Sequence, residues 1–386
     1  MAQFDVVVVG LGATGAAAAY RLARRGARVL GLDRLTPGHD RGSSHGESRI
    51  IRLGYFEHPS YVPLLRRAYE LWRELEAEAE AEAEAEAKLL HITGILEVGP
   101  PGGAVVSGTL AASRLHGLPH EVMNAAETMR RFPAFKIPDE YVGVLQPDGG
   151  FIAAEAAIAA MLAQARAAGA DIQTGVAVRS VTPRGNRVRI ETGTGLIDAN
   201  TAIVAAGPWL MKLMPDLPAP LRVTREVIGW FEPRNPAPFL AGPFPVFLLE
   251  SPFGQHYGFP PWRGGLLKIA KHHHRDETVD PDNVDRVVSS EDEALIRPFV
   301  SQYIPAAAGP LRSAKTCLYT MTPDRDFLID RLPGAPNIIV ASPCSGHGFK
   351  FAPVVGEILA DLATEGGTGH DISRFRFGRF GSGDFA

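Results

Sequence analysis

The chain has 386 residues, 45% of them hydrophobic and 21% charged, with Lys+Arg 39 against Asp+Glu 43 for a formal charge of −4. This is a globular composition long enough for two domains, and its slight acidity supplies no field for a nucleic-acid backbone or an anionic bilayer. Its two cysteines, Cys317 and Cys344, are too few for a disulfide scaffold, so a reducing, cytoplasmic setting is expected.

Residues 4–33 read as an apolar strand, a glycine turn, an Ala-rich helix ended by Gly26 and a second strand ending at Asp33. That is a βαβ unit whose first strand is apolar on both faces, as in a buried parallel sheet. The run is too short for a signal core or a membrane span, and no later apolar stretch reaches the ~18 residues that a span needs, so no membrane contact is expected. A helix is predicted over 61–88, with Leu64, Leu65, Ala68, Leu71, Trp72 and Leu75 at helical spacing. In its tail, 76–87, Glu and Ala alternate. The period mimics a strand, but both residue types favour helix, and the segment reads as a solvated extension without chemistry. A further helix is predicted over 153–169, strands over 171–191 around the turn at 183–186, and an apolar strand over 201–207. Residues 220–320 carry aromatics, prolines and short strand-like runs at 226–231 and 244–250, consistent with a separate antiparallel sheet. The chain then closes with a strand (337–342), a glycine loop and a helix (351–363).

Three segments carry chemistry. Gly10, Gly12 and Gly15 lie between strand and helix at the spacing that lets a pyrophosphate approach backbone N–H groups, and Asp33 ends the next strand, where a carboxylate can accept from ribose hydroxyls. This motif alone does not separate NAD from FAD. Residues 41–57 gather Arg41, His45, Glu47, Arg49, Arg52 and Glu57 in a Ser/Gly-rich stretch able to wrap a ligand, with Arg49 and Arg52 as forked donors for an anion. Residues 345–350, between a strand and a helix, aim backbone N–H groups over the strand end as a second anion site, and Lys350 is poorly placed there for the helix dipole. Consecutive His272, His273 and His274 cannot all face one site from a strand, so no metal is expected.

The sequence resembles the monomeric sarcosine oxidase and N-methyltryptophan oxidase family, within the D-amino-acid-oxidase-like flavoenzymes. The resemblance covers nearly the whole chain and rests on Gly10–Gly15, SHGESRIIR (44–52), YGFP (257–260), LLKIAKH (266–272), KTCLYTMTPDRDFLID (315–330) and SGHGFKF (345–351). It implies FAD as cofactor, with Cys317 matching the cysteine that forms a thioether to the flavin 8α-methyl. A thiolate is the nucleophile that step needs, and Lys315 with other nearby cations could favour it; Cys344 is the competitor. The resemblance also implies that Arg52 and Lys350 hold the substrate carboxylate, and that Lys268 sits by flavin N5 through a water and promotes reaction with O2. Arg49, His272, Tyr257 and Tyr319 match further pocket positions; Ser43, His45, Arg49, Gly346, His347, Gly348 and Lys350 match flavin-side positions. The loop departs from the family's common SHHGDTRIIR at Ser44, Glu47 and Ser48, which bears on substrate size, and the Glu/Ala run has no counterpart.

The implied fold is α/β with α+β: a Rossmann-like FAD-binding domain from residues 1–90, 150–220 and 320–386, and a substrate domain with an antiparallel sheet from 91–149 and 221–319. The implied reaction is oxidation of an N-methyl or other secondary amino acid: hydride transfer to the flavin, hydrolysis of the imine to amino acid and formaldehyde, and reduction of O2 to H2O2 by a monomeric enzyme. Two alternatives stand beside it. One is a dehydrogenase of the same fold that passes electrons to a quinone or carrier; the other is a non-catalytic flavin-binding module, which leaves Arg52, Lys268 and Lys350 without a role.

Overall fold

The computed structural model describes residues 3–82, 88–240 and 244–381. Its first eight-stranded sheet is built on the predicted βαβ unit, the strands Phe4–Val9 and Val29–Asp33 pairing in parallel around the helix Ala13–Arg24. Four successive valines, Val6 to Val9, are buried, as expected of a strand covered on both faces. The long strand Gly195–Val204 divides its pairing: its first half completes a hairpin ladder with Arg187–Thr192, and its second half lies between Phe4–Val9 and Ala335–Ser342, parallel to both. It thus begins earlier than the expected 201–207 strand and stops at Val204, where Ala205 N donates to Val9 O (2.8 Å) and the chain leaves the sheet.

The helices Ala13–Arg24, Val62–Glu82, Ala154–Ala167 and Ala352–Thr364 share one apolar core with this sheet. Small residues set how closely they approach: a Cβ on Gly356 would lie 2.6 Å from the Ala17 carbonyl carbon. The Glu/Ala run is helical through Glu82, and residues 83–87 lie outside the described residues. The expectation of a purely solvated extension is corrected at two glutamates. Glu78 accepts from the buried Tyr20 hydroxyl (2.5 Å) and from Arg24 (2.6 Å), and Glu76 Oε2 accepts from Leu89 N and Leu90 N, both at 2.6 Å. These bonds tie the helix to its neighbour and to the returning chain.

The second eight-stranded sheet takes its strands from Ile95–Gly99, Glu121–Asn124, Val142–Gln146, Arg222–Phe231, Val246–Ser251, Gly254–Gly258, Leu267–Lys271 and Leu311–Met321. Its pairs are antiparallel except for Val246–Ser251, which runs parallel to Ile95–Gly99. A small third sheet pairs Ser48–Ile51 and Leu90–Ile92 with Gly150–Ala153 and carries the Arg49 segment between the two larger sheets. Among the described residues no helix is long and apolar enough to cross a membrane.

The contact at Gly356 has a measurable consequence. Gly356→Val forces side-chain atoms against the Ala17 backbone and is expected to destabilise the fold by about 1–3 kcal/mol, the usual cost of overpacking a closed interface. A lower urea midpoint at unchanged denaturant slope is the expected result.

Candidate active site

Two adjoining cavities run from the glycine turn to the second sheet. Ala13, Thr14, Ser43, Ser44 and Cys344 line both. In the first arm Gly10 adopts φ +90°, and Gly15 lets the helix close on the strand, since a Cβ there would fall 1.7 Å from Gly10 O. Gly12 lines the cavity, and a Cβ on it would meet only Ser44 Oγ, at 3.5 Å. Asp33 also lines this arm, but its carboxylate is already engaged: Oδ2 accepts from Leu11 N and Oδ1 from Leu35 N, both at 2.8 Å. Asp33 therefore fixes the turn first, with lone pairs left over for a ligand hydroxyl.

Where the cavities meet, the Ser43–Ser48 segment is folded around Arg49. The guanidinium donates to Ser48 O (2.8 Å), Ser43 O (2.9 Å) and His45 O, and Nη2 stands 3.8 Å from Cys317 Sγ. Cys317 is buried on Leu311–Met321 and faces Ser43 O at 3.7 Å. Burial pushes its thiol pKa up while Arg49 and Lys268 pull it down. The expected role of Lys315 is thus corrected: Lys315 is exposed, and Arg49 is the cation at the sulfur. Cys344, at the junction of the arms, is pushed by burial to about 11.

At the other end of the inner cavity, Arg52 and Lys350 both line the wall, as do Tyr257, His272 and Tyr319. Arg52 is buried and not free. Its Nη2 donates to both oxygens of Glu57 (2.8 and 2.7 Å) and its Nη1 to Gly54 O (2.8 Å), with the Tyr55 ring 4.4 Å and the Phe56 ring 4.7 Å from the guanidinium carbon. Lys350 lies in a short 3-10 turn ahead of the helix Ala352–Thr364, and its Nζ donates back to His347 O (2.7 Å). Burial and then Arg52 bring its pKa down to about 7. His272 Nδ1 meets the Tyr319 hydroxyl at 3.3 Å, and burial followed by the adjacent His273 holds its pKa well below that of free histidine. Gly346 packs flat against these two rings, where a Cβ would come within 2.7 Å of Tyr319. Gly348 closes the loop, since a Cβ there would overlap Pro343 O. His347 lines the cavity with both ring nitrogens taken, by the Tyr55 hydroxyl (2.6 Å) and by Arg325 O (2.9 Å).

Lys268 and His45 do not line either cavity. Lys268 Nζ is buried against Gly46 O (2.6 Å), Ser48 O (2.6 Å) and Ser48 Oγ (3.2 Å), so it braces the loop from behind, and burial lowers its pKa well below the usual lysine value. Of the three adjacent histidines, His272 and His273 lie against each other and both meet the Tyr319 ring, whereas His274 meets Asp292 Oδ1 at 3.2 Å. Glu155, Glu226 and Glu97 were not singled out from the sequence. Glu155 accepts from the N–H groups of Gly46 and Glu47 (2.7 and 3.0 Å), and Glu226, cross-strand from Cys317, lines the cavity with its pKa raised by burial to about 7. A lone carboxylate in the apolar run 226–231 was a readable signal; Glu155 in its Ala-rich helix gave none.

The residues present fit a flavin dinucleotide. Ser43 Oγ, on the wall of both cavities, is buried without a hydrogen-bond partner among the described residues, a group that a ligand's polar edge would satisfy. Burial, then Arg49, keeps His45 neutral with a pKa near 4. A glycine cradle on a parallel sheet leading to a cation-lined cavity over an antiparallel sheet defines a dinucleotide-dependent oxidoreductase. The chain belongs to the FAD dependent oxidoreductase family, whose model matches residues 5–362. It is 41% identical over 382 residues to monomeric sarcosine oxidase of Bacillus sp. (strain NS-129), covering 98% of this chain and 97% of that protein. It is 37% identical over 380 residues to N-methyl-L-tryptophan oxidase of Salmonella typhimurium, covering 98% and 99%. Among solved structures, NikD, described as an unusual amino acid oxidase essential for nikkomycin biosynthesis, is similar with a TM-score of 0.85 at 29% identity, covering 97% of this chain and 98% of that one.

The open face of Gly12 separates binding from folding. Gly12→Val is expected to leave the melting temperature of the FAD-free protein close to that of FAD-free wild type while weakening FAD binding at least ~tenfold, about 1.4 kcal/mol. The ratio of flavin to protein absorbance, followed through FAD titration, checks this.

Proposed function

We propose that the protein is an FAD-dependent oxidase of N-methyl or other secondary amino acids, converting an N-methyl substrate, O2 and water into the demethylated amino acid, formaldehyde and H2O2, and a cyclic substrate and O2 into the imine and H2O2. The observation that carries this reading is the pairing of Arg52 and Lys350 on the wall of the cavity that also contains Cys317. The relatives named as sarcosine and N-methyl-L-tryptophan oxidases support it. Bound FAD supplies the redox chemistry, accepting two electrons from the substrate and passing them to O2. The chain's part is binding and orientation. Arg52 and Lys350 hold the carboxylate, Arg52 exchanging its bonds to Glu57 for bonds to the ligand. Tyr257, His272 and Tyr319 fix the amine end and keep water out, His272 in its neutral form. Cys317 is the site of covalent attachment, with Arg49 stabilising the thiolate. Lys268 serves the oxygen half-reaction from behind the Gly46–Ser48 backbone. The two large sheets are read as the FAD and substrate domains of a cytoplasmic monomer.

Peroxide release under air across a panel of N-methyl and cyclic secondary amino acids tests the reading. Turnover of at least one, with matching amines that lack the carboxylate turned over poorly, is expected. Reduction of the flavin without peroxide formation would instead favour a dehydrogenase using another acceptor.

Covalent attachment is checked by acid precipitation: the colour should stay with wild-type polypeptide and be lost to the supernatant in Cys317→Ala. Retention in the variant would move the assignment to Cys344.

Lys350 also sets a pH dependence. Its pKa of about 7 means that the ammonium needed by a carboxylate ligand is present below neutrality and lost above it. Affinity for propionate, which has no amine of its own to titrate, should therefore fall as pH rises through 7, by up to about tenfold per unit. Lys350→Met should weaken binding at low pH and reduce that slope.

A further inference from the structure

Behind Arg52 lies a buried ring of side chains that binding and redox chemistry do not use. Arg52 Nη1 donates to Gly54 O (2.8 Å), Gly54 N donates to Gln146 Oε1 (2.6 Å), and Gln146 Nε2 donates to Glu97 Oε2. Glu97 Oε1 closes the ring at 3.4 Å from Arg52 Nη1, within ion-pair reach but outside hydrogen-bond geometry. Glu97 is fully buried in the strand Ile95–Gly99, and Gln146 ends the neighbouring strand Val142–Gln146. Gly54 is a condition of the ring, because a Cβ there would lie 2.5 Å from Gln146 Nε2. A carboxylate in such a strand is costly unless paired, and burial raises the Glu97 pKa to about 7 against the pull of Arg52. The opposite edge of the guanidinium is different. Nη2 bonds only to Glu57, and Glu57 lines the cavity whereas Glu97 and Gln146 do not.

We propose that Glu97 is a positioning residue for the substrate carboxylate: with Gln146 and Gly54 it clamps the inner edge of Arg52, so that only the cavity edge exchanges between Glu57 and the incoming ligand. The proposal rests on the oxidase reading, in which Arg52 and Lys350 hold that carboxylate. A planar fork with one edge fixed presents its other edge in one orientation, and the ligand meets donors already in place. Clamp and charge predict opposite signs. As a bare negative charge beside Arg52, Glu97 would weaken an anion's hold, so its removal would tighten binding; as a clamp, its removal loosens it.

The test uses holoenzyme titrated with propionate and read as a change in flavin absorbance, alongside steady-state kinetics with an oxidisable N-methyl amino acid. Glu97→Val should raise the propionate Kd and the KM at least ~tenfold while kcat stays within about threefold, the pattern of lost uniform binding. Glu97→Gln, which keeps the shape and can still accept from Gln146 Nε2, should restore most of the affinity. If Glu97→Val does not fold, Gln146→Leu opens the ring from the other side and should give the same rise. Unchanged or tighter propionate binding in either variant overturns the proposal, as does a fall in kcat at unchanged KM. Because the titration needs no turnover, wild-type holoenzyme that binds propionate but oxidises no secondary amino acid counts against the oxidase reading alone. A wild type blind to propionate overturns both.

Discussion

The Ser43–Ser48 segment takes its path from the guanidinium of Arg49, which donates to three of its carbonyls, and two other side chains finish the work. Glu155 accepts from the N–H groups of Gly46 and Glu47, and Lys268 donates to the carbonyls of Gly46 and Ser48. Buried backbone polar groups must find partners, and here they find charged side chains instead of a ladder. The path fixed this way decides where both cavities run, since Ser43 and Ser44 line each of them. It also brings Ser43 O and Arg49 to the sulfur of Cys317. Loss of Arg49 would therefore remove the wall of the site together with a charge in it.

Charge in the site is carried by a few groups because burial silences the rest. His45 and His347 are held near a pKa of 4 and His272 well below its usual value, so all three imidazoles are neutral at neutral pH. The cationic character of the inner cavity thus comes from Arg49, Arg52 and, below about pH 7, Lys350. Arg52 is at the same time the counter-ion of Glu57 and the neighbour of Glu97. Truncating it would leave the fully buried Glu97 and the half-buried Glu57 unpaired, a loss of about 3–5 kcal/mol by analogy with other broken buried pairs. Lys350, whose Nζ bonds only a carbonyl and, at 3.5 Å, the Tyr55 hydroxyl, is for that reason the cleaner probe of carboxylate recognition.

What was legible in the sequence was local. The βαβ unit and the C-terminal strand, loop and helix follow from patterns a few residues long, while Tyr257, His272, Cys317 and Tyr319, which line the cavity with Arg49, Arg52 and Lys350, were marked only by the resemblance to the family. What was not legible depends on register between distant strands. Glu226 faces Cys317 across a ladder 91 residues apart in sequence by their numbering, and Glu97 meets Arg52 only because Ile95–Gly99 pairs with Val142–Gln146. Arg49 is the cation at Cys317 for the same reason: a loop distant in sequence carries it across the sheet, whereas Lys315, two residues away, is exposed. The Glu/Ala run shows the limit of composition, since two of its glutamates bond specific partners that no repeat pattern announces.

The departures of the loop from its family pattern point away from the Arg52–Lys350 end of the cavity. Glu47, at φ +71°, turns its carboxylate to Trp230 Nε1 (3.0 Å), and Ser48 Oγ lies against Lys268 Nζ; neither residue lines a cavity. Ser44 lines both, at the junction beside Ala13 N (3.4 Å), away from the Arg52–Lys350 end. These changes therefore alter how the loop is braced and leave the substrate end untouched. The apolar lining of the inner cavity includes Ile50, Phe56, Leu248 and Phe259, supplied by the third sheet, the Arg52–Glu57 turn, the second sheet and the residue that follows its strand Gly254–Gly258. Apolar walls discriminate by volume, at about 1–3 kcal/mol per methylene, whereas the charged end discriminates by chemistry. Under the proposed oxidase reading, substrate size is thus set by such apolar walls, and substrate class by Arg52 and Lys350.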